Sequence, residues 1–418
     1  MSEPRRLFAL SDEGALALAS SRGTPCFAYR LDLARDRYDR LAALLARRSG
    51  GRAALAYAVK ANPGRPLVAA FAERGAWFDC ASIGELELLR GAGVPGGRLL
   101  LAGPGKSEAE LGLALSLGAR IQADGLEDLE RIDAILLSQS PGPASGREMP
   151  IPVSLRVHPL SGVSESSPII GGSGPSAFGV DEEELPSFLR EAGRFPRVRI
   201  AGLQVFAASN ERSARRLLDN HRIAFAIGER MAREAGLELD LVDLGGGLGL
   251  TYAEGEAELD LEAFCEGLGA LLEANPWFKG RALIEPGRWL AGPCGVYLAR
   301  VLRAKSSRGE RFAVLEGGAN HLLRPALTGQ AFPARAPGVG TTDIAGAREV
   351  EQTLAGPLCT SLDRLGKVLL PLLEAGDLVM LGQAGAYGAT EAMSAFLSHP
   401  PAAEYWLEAD PMLYKEAI

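Results

Sequence analysis

Cysteine and histidine are scarce in this sequence, and their spacing excludes two kinds of site. Five cysteines are scattered along 418 residues, and the four histidines show no metal-ligand spacing. An odd number of widely spaced cysteines favours reduced thiols in the cytoplasm over a disulfide framework. The histidine spacing argues against a protein-bound metal ion. We therefore expect a cytoplasmic protein without a metal site.

Long apolar runs and basic tracts are also missing. No apolar run approaches the ~18 residues of a membrane-spanning helix, and residues 1–6 are not followed by the apolar core of a secretory signal. The net charge is −8, and no basic stripe is interleaved with aromatic residues. We expect neither a membrane nor a nucleic acid among the partners. The length predicts two domains.

From residue 54 onwards, apolar runs of strand length alternate with helix-like segments. The pattern predicts eight strands, at residues 54–59, 77–81, 99–102, 120–123, 152–157, 200–206, 241–244 and 282–284. Helices are predicted at residues 66–73, 83–91, 108–117, 126–137, 182–192, 211–235 and 259–274. Eight strand–helix units favour a TIM (β/α)8 barrel. A doubly wound open sheet is the alternative, but polar residues recur at the strand ends, as barrel chemistry requires.

After residue 288 the alternation of strands and helices ends, and predicted strands follow one another with few helices between them. Strand-like runs occupy residues 296–304, 312–315, 354–358 and 378–381. We therefore predict a barrel over residues 30–290 and an all-β domain over residues 291–418. Residues 1–29 are expected to join the β domain. Residues 138–149, 160–176 and 331–347 read as long loops.

A lysine at the end of the first barrel strand is the first candidate for chemistry. Burying the ammonium of Lys60 is costly unless it has a partner or a covalent role, such as a Schiff base with an aldehyde cofactor. A lysine that merely reaches solvent is the alternative. Because TIM barrels carry their chemistry at the carboxyl ends of strands, the other strand ends matter equally. They supply Asp79, Arg156, Phe206, Ser209, Gly245, Gly246, Gly247, Glu285, Gly287 and Arg288.

These residues suit a phosphorylated aldehyde. The three consecutive glycines let backbone N–H groups approach a phosphate, to which Arg288 or Ser209 can add donors. Phe206 can stack on a planar ring. Glu285 can face a pyridine nitrogen and favour the protonated ring, which is a strong electron sink. The structural alternatives are an ordinary turn, a domain-boundary ion pair, a core aromatic residue and a capping carboxylate.

The second domain adds a thiol and a phenol in glycine-rich or proline-rich surroundings. Cys359 lies between a proline turn and a polar run, and Tyr387 lies between glycines. A thiol can protonate a carbanion. However, a lone cysteine is usually an inert core residue, and a tyrosine among glycines is often part of a turn.

Taken in order, these motifs resemble the fold type III pyridoxal-phosphate decarboxylases, a family that includes diaminopimelate and ornithine decarboxylases. The resemblance covers nearly the whole chain and rests on residues 57–62, 78–82, 103–106, 178–180, 245–247, 285–288, 356–359 and 385–388. It implies an alanine-racemase-like barrel, a C-terminal β domain and pyridoxal 5'-phosphate as cofactor. It also implies a head-to-tail homodimer with a shared active site.

The resemblance further implies roles for individual residues. Lys60 would hold the cofactor covalently, Glu285 would meet the ring nitrogen, and Cys359 would act at protonation in the partner's site. The residues implied to bind the cofactor are Lys60, Asp79, Arg156, Phe206, Ser209, Gly245, Gly246, Gly247, Glu285, Gly287, Arg288 and Tyr387. Those implied to contact the substrate are Arg324, Cys359, Thr360 and Tyr387.

Two departures from the family pattern bear on the substrate. Thr360 stands where the family commonly has an acidic residue that reads a distal amine. Phe206 lies in a run, residues 202–209, that lacks the imidazole often stacked on the cofactor. Both argue against diaminopimelate and ornithine. Residues 355–367, 376–379 and 396–400 instead resemble the L-glutamyl-[acyl-carrier protein] decarboxylase of butirosin biosynthesis, whose tethered substrate has no free distal charge.

The sequence therefore predicts a pyridoxal-phosphate-dependent α-decarboxylase. It would release carbon dioxide and an amine from an amino acid, or from an aminoacyl group on an acyl-carrier protein. Diaminopimelate or another diamino acid is the alternative substrate. An amino-acid racemase is disfavoured because such racemases place an arginine, rather than Glu285, at the ring nitrogen. A non-catalytic regulator is disfavoured because Lys60 and the three glycines are present.

Overall fold

The chain forms two compact units. The structure is a computed structural model that describes residues 7–139, 149–160, 174–206, 208–339 and 349–410. The barrel unit comprises Tyr38–Gly249 and Glu258–Gly287, and the β unit comprises Met1–Arg37, Leu250–Ala257 and Arg288–Ile418. These bounds differ from those predicted from the sequence at residues 30–37, 250–257 and 288–290. Of the three long loops expected from the sequence, residues 140–148, 161–173 and 340–347 lie outside the described residues.

Strands and helices alternate in the barrel unit, whereas the β unit consists mostly of strands. The strands and α-helices of both units, in chain order, are as follows. The strands are β1 (Cys26–Arg30), β2 (Ala53–Ala58), β3 (Trp77–Cys80), β4 (Leu99–Leu101), β5 (Arg120–Ala123), β6 (Ile151–His158), β7 (Val180–Asp181), β8 (Val198–Gln204), β9 (Leu241–Asp243), β10 (Arg281–Ile284), β11 (Gly295–Ser307), β12 (Glu310–Leu315), β13 (Ala334–Arg335), β14 (Val350–Ala355), β15 (Arg364–Leu370), β16 (Leu378–Leu381) and β17 (Ala403–Leu407). The α-helices are α1 (Asp12–Arg22), α2 (Leu31–Ser49), α3 (Arg65–Ala72), α4 (Ile83–Gly91), α5 (Glu108–Leu117), α6 (Leu126–Gln139), α7 (Leu185–Ala192), α8 (Ala214–Ala235), α9 (Leu261–Ala274), α10 (Arg288–Ala291) and α11 (Arg324–Thr328). Within these described ranges, no helix has the length and apolar content needed to cross a membrane.

Eight parallel strands close into a barrel. They pair in the order β5, β4, β3, β2, β10, β9, β8 and β6, and β6 pairs back with β5. These are the eight strands that the apolar runs predict, so the TIM-barrel prediction is confirmed and an open sheet is excluded. Because all eight run in parallel, their carboxyl ends meet at one rim, where chemistry is expected.

Local sequence explains why the barrel helices begin where they do. Ser107 precedes α5 and forms a reciprocal capping box with Glu110, which satisfies two N–H groups that the helix itself leaves without a partner. Ser82 caps α4 in a similar way by accepting a hydrogen bond from the Glu85 N–H. Between the helices, the barrel strands bury apolar side chains such as those of Leu100 and Leu283.

The β unit is built on one sheet with mostly antiparallel pairing. Its strand order is β13, β16, β11, β12, β14 and β15, and β1 pairs with both β11 and β17. The sequence pattern missed β13, β15 and β17. In β15, Arg364 and Lys367 interrupt the apolar residues and several positions are exposed, so no apolar run of strand length marks the strand. The strand expected at residues 354–358 ends at Ala355, because the following Gly356 N–H bonds to Asp363 outside the ladder.

A buried histidine in α8 makes the stability of the barrel unit depend on pH. His221 packs edge-on against Phe264, and burial lowers its pKa from the ordinary value of 6.5 to about 3. Below pH 6.5 the unfolded chain binds a proton that the folded chain excludes, so stability falls as the pH falls. Relative to wild type, the free energy of unfolding of His221→Phe should rise by about 2 kcal/mol between pH 7 and pH 5. Urea unfolding at both pH values measures this difference, and a difference independent of pH would contradict the assignment.

Candidate cofactor site

Lys60 lies at the carboxyl rim of the barrel, in the short turn Val59–Ala61 directly after β2. Its Nζ donates a hydrogen bond to Asp79 Oδ2 at 2.7 Å. Asp79 lies on the neighbouring strand β3 and its side chain is 1% exposed, whereas that of Lys60 is 39% exposed. The lysine therefore has a buried charge partner, while its own side chain is partly exposed at the rim.

A pair of carboxyl groups is buried inside the barrel. Asp243 ends β9, Glu285 follows β10, and the two buried carboxyl groups interact with each other. Burial, with repulsion from Asp79, raises the pKa of Asp243 to about 6. Burial and the two neighbouring aspartates raise the pKa of Glu285 well above its ordinary value, although Lys60 opposes the shift. Burial and mutual repulsion therefore disfavour ionisation of both carboxyl groups at once.

Two glutamines hold the ends of this pair. Gln122 Nε2 donates to Asp243 Oδ2 at 2.5 Å, and Gln204 Nε2 donates to Glu285 Oε1 at 3.3 Å. The remaining Asp243 oxygen accepts the Gly245 N–H at 3.0 Å. Sequence reasoning did not select Asp243, Gln122 or Gln204 as site residues. The signal was available, because each is a polar residue at or next to the carboxyl end of a barrel strand.

The glycines at residues 245–247 form a tightly packed turn beside this pair. Gly245 and Gly247 have φ angles of +67° and +95°, which side chains rarely tolerate. A Cβ on Gly246 would lie 2.6 Å from the Glu285 carbonyl oxygen, and one on Gly247 would lie 2.7 Å from the Ala208 carbonyl oxygen. The Glu285 N–H also donates to the Gly245 carbonyl at 2.8 Å. The turn therefore requires glycine and is fixed against Glu285.

The remaining candidate residues of the barrel unit have different surroundings in the structure. Phe206 lies against the glycine turn, since a Cβ on Gly245 would come within 2.9 Å of its ring. The Arg156 guanidinium lies 4.4 Å from the centre of the Phe178 ring. Ser209 is half-buried in the segment after β8, and its role stays a prediction.

Gly287 and Glu85 lie close to the turn and strand that carry Lys60 and Asp79. A Cβ on Gly287 would lie 2.9 Å from the Ala61 Cβ, so glycine allows the segment to pack on the lysine turn. Glu85 accepts the Ala81 N–H at 2.7 Å. Burial raises its pKa to about 7, the Ala81 bond and Lys60 oppose the rise, and Asp79 adds to it. Sequence reasoning missed Glu85.

In the β unit, the Tyr387 ring lies near two guanidinium groups. The Arg288 and Arg324 guanidinium carbons lie 4.9 and 4.2 Å from the ring centre. Arg288 Nη1 donates to Tyr252 Oη at 2.9 Å. Arg324 Nη1 donates to both carboxylate oxygens of Glu391, at 2.9 and 2.7 Å. The positive charge of Arg324, an expected substrate contact, is therefore already matched by a carboxylate that the sequence analysis did not select.

Cys359 and Thr360 lie in the segment between β14 and β15. Cys359 is exposed, whereas the other four cysteines are buried. Thr360 Oγ1 accepts the Leu362 N–H at 3.3 Å, so its hydroxyl serves the local turn and carries no charge.

The comparisons with known proteins agree with this architecture. The family model described as "Pyridoxal-dependent decarboxylase, pyridoxal binding domain" matches residues 35–292. The chain belongs to this family of pyridoxal-dependent decarboxylases. It is therefore a lyase that uses pyridoxal phosphate as its cofactor, with the barrel and C-terminal β domain of the fold type III group.

Individual relatives act on different substrates. The diaminopimelate decarboxylase of Zymomonas mobilis is 30% identical over 396 residues, which cover 93% of this chain and 88% of the relative. The L-glutamyl-[BtrI acyl-carrier protein] decarboxylase of Niallia circulans is 29% identical over 394 residues, which cover 92% and 89%. The crystal structure of diaminopimelate decarboxylase from Helicobacter pylori complexed with L-lysine superposes with a TM-score of 0.80 at 23% identity, covering 96% of this chain and 100% of that one. Overall similarity therefore does not decide the substrate.

Proposed function

We propose that this enzyme decarboxylates an amino acid whose distal end carries no free charge, such as an aminoacyl group on an acyl-carrier protein. The observation that carries the proposal is the ion pair between Arg324 and Glu391, at 2.7 Å. The guanidinium expected at the substrate is neutralised within the protein. Thr360, the second expected contact, is neutral. Neither residue offers a net charge to a distal ammonium or a distal carboxylate.

The barrel rim suits the cofactor in three respects. Lys60 is accessible and ion-paired with Asp79, so its amine is available for a Schiff base while the carboxylate orients it. The three glycines at residues 245–247 form a cradle with no room for side chains, as close backbone approach to a phosphate requires. Glu285 is a buried carboxyl group that, when ionised, can pair with a protonated ring nitrogen. When bound, pyridoxal phosphate supplies the electron sink for carbon–carboxylate cleavage.

The protein's own residues would then orient the cofactor and transfer protons. Glu285 fixes the protonation of the ring nitrogen, and Asp243 and Gln204 hold its carboxyl group in place. Cys359 or Lys60 returns a proton to the substrate α-carbon. We propose that Cys359 acts in the partner's site of a homodimer, since it is the exposed cysteine of the chain. Sedimentation tests this assembly, and a monomer at concentrations where turnover is observed would contradict it.

A charge introduced at residue 360 tests the substrate assignment. Thr360→Asp should raise kcat/KM for a free diamino acid such as lysine or ornithine by about tenfold, because a carboxylate would face the distal amine. It should lower kcat/KM for glutamate carried on an acyl-carrier protein. Ser361→Asp is the matched control, since it places the same charge one residue further along. Equal effects of the two variants would contradict a direct contact at residue 360.

Diaminopimelate decarboxylation is the second candidate. It is favoured by the near full-length match to a diaminopimelate decarboxylase. Under this alternative, wild type would release carbon dioxide from free diaminopimelate, and Glu391→Gln would change KM for that substrate by freeing the charge of Arg324.

A further inference from the structure

One buried carboxylate shapes the loop that carries Cys359. Asp363 is 3% exposed. Its Oδ1 accepts the Ala319 N–H at 2.6 Å, and its Oδ2 accepts the Leu358 N–H at 2.6 Å. Each oxygen is thus bonded to the backbone of a different segment, one after β12 and one after β14. The carboxylate ties the cysteine loop to the neighbouring segment.

Two glycines allow the backbone to pack closely around the Asp363 carboxylate. Gly318 and Gly356 both lie against it, and a Cβ added to either glycine would overlap the Asp363 carboxylate. The two glycines are in contact with each other, where β12 and β14 run in parallel just before them. The fit explains why both positions are glycine although neither has a positive φ angle.

Further hydrogen bonds close the loop on itself. The Gly356 N–H donates to the Asp363 carbonyl at 3.1 Å, and the Asp363 N–H donates to the Thr360 carbonyl at 3.3 Å. The Thr360 N–H donates to the Leu358 carbonyl at 2.8 Å. The loop therefore has a defined shape around Asp363, with Cys359 exposed at its surface.

We propose that Asp363 is a positioning residue that holds Cys359 in the geometry needed to return a proton to the substrate. The proposal rests on the role proposed above for Cys359, and it adds the residue that sets the conformation of the thiol. Asparagine at residue 363 would match this site poorly, because its NH2 group would face one of the two backbone N–H donors. The loop would then lose one of its two anchors.

Amide hydrogen exchange tests the structural half of the proposal without any cofactor or substrate. In Asp363→Asn, the amides of Leu358 and Ala319 should exchange at least about tenfold faster, while amides of the barrel strands keep their protection. Asp377→Asn is the matched control, since Asp377 also accepts a backbone N–H, from Glu374 at 2.7 Å. Unchanged exchange at Leu358, or equal loss of protection throughout the chain, would overturn the proposal.

The yields of carbon dioxide and amine test the functional half in the cofactor-loaded enzyme. Because Cys359 acts after the carboxylate leaves, Asp363→Asn should slow amine formation at least about tenfold, while single-turnover release of carbon dioxide and the affinity for pyridoxal phosphate stay at wild-type values. In a Cys359→Ala background, the same substitution should change amine formation less than about twofold. Equal losses in the two backgrounds, or parallel losses of both products, would overturn it.

Failure of the proposed function and failure of the proposal for Asp363 give different results. A wild-type enzyme that binds pyridoxal phosphate but releases no carbon dioxide from any substrate would refute the proposed function, whereas the exchange result would still report on the loop. If the asparagine variant does not fold, Asp363→Ser keeps one acceptor oxygen in a smaller side chain. The serine variant is measured in the same way and is expected to show the same pattern.

Discussion

Lys60→Ala should abolish covalent attachment of pyridoxal phosphate and lower turnover by about 10³-fold or more. Lys60 lies at the barrel rim with a partly exposed side chain, and its amine can form a Schiff base. Alanine also removes the partner of Asp79, a carboxylate that is 1% exposed. Borohydride reduction followed by mass spectrometry measures attachment, and carbon dioxide release measures turnover.

Lys60→Arg separates the covalent role of the lysine from its ion pair. Arginine keeps a cation beside Asp79, so the variant should be more stable to urea than Lys60→Ala. Its guanidinium stays protonated and does not form a Schiff base under these conditions, so turnover should be equally low. Substantial turnover or covalent attachment in either variant would contradict the assignment of Lys60.

Glu285→Gln should lower kcat by about 10² to 10⁴-fold. The amide keeps the shape of the side chain but cannot hold the negative charge that stabilises a protonated ring nitrogen. Because Glu285 is buried and pairs with Asp243, no water is expected to substitute for it. Steady-state carbon dioxide release and the pH dependence of the cofactor's absorbance measure the effect.

Asp243→Asn is the matched control for this substitution. It removes the other carboxyl group of the pair but retains an oxygen that can accept the Gly245 N–H. We expect a smaller loss of kcat than in Glu285→Gln, together with a lower pKa of Glu285, because the repulsion between the two carboxylates is gone. A larger loss in Asp243→Asn than in Glu285→Gln would show that Asp243, rather than Glu285, has the role at the ring nitrogen.

The barrel could be predicted from the sequence because its strands are continuous apolar runs. β4 and β10 are almost wholly apolar, as strands buried on both faces must be. The turn after β2 also carries Lys60, a charged residue that comes directly after an apolar run. In contrast, β15 includes the charged residues Arg364 and Lys367 and has several exposed positions, so no apolar run of strand length marks it.

Part of the site follows from strand neighbours and part does not. β2 and β3 pair directly, which brings Lys60 and Asp79 together, and β9 and β10 pair directly, which brings Asp243 and Glu285 together. Gln122 reaches Asp243 from β5, which is not a neighbour of β9. That contact exists because the barrel closes and its interior is narrow enough for side chains to meet across it.

The contacts of the β unit were the least predictable. Arg324 and Glu391 are separated by 67 residues, and no periodic pattern links them. The family resemblance implies that Arg324 contacts the substrate, whereas in the structure its charge has an internal partner, Glu391. Asp363 likewise follows a short polar run, and only the position of Gly318 and Gly356 around its carboxylate shows what it organises.

Carbon dioxide release by the wild-type enzyme loaded with pyridoxal phosphate is the most direct test of the substrate assignment. The substrates to compare are glutamate carried on an acyl-carrier protein and, as free amino acids, glutamate, diaminopimelate, lysine, ornithine and arginine. We predict release from the carrier-bound substrate, with kcat/KM at least about tenfold above that for any free diamino acid. Efficient release from free diaminopimelate, lysine or ornithine, with none from the carrier-bound substrate, would contradict the account.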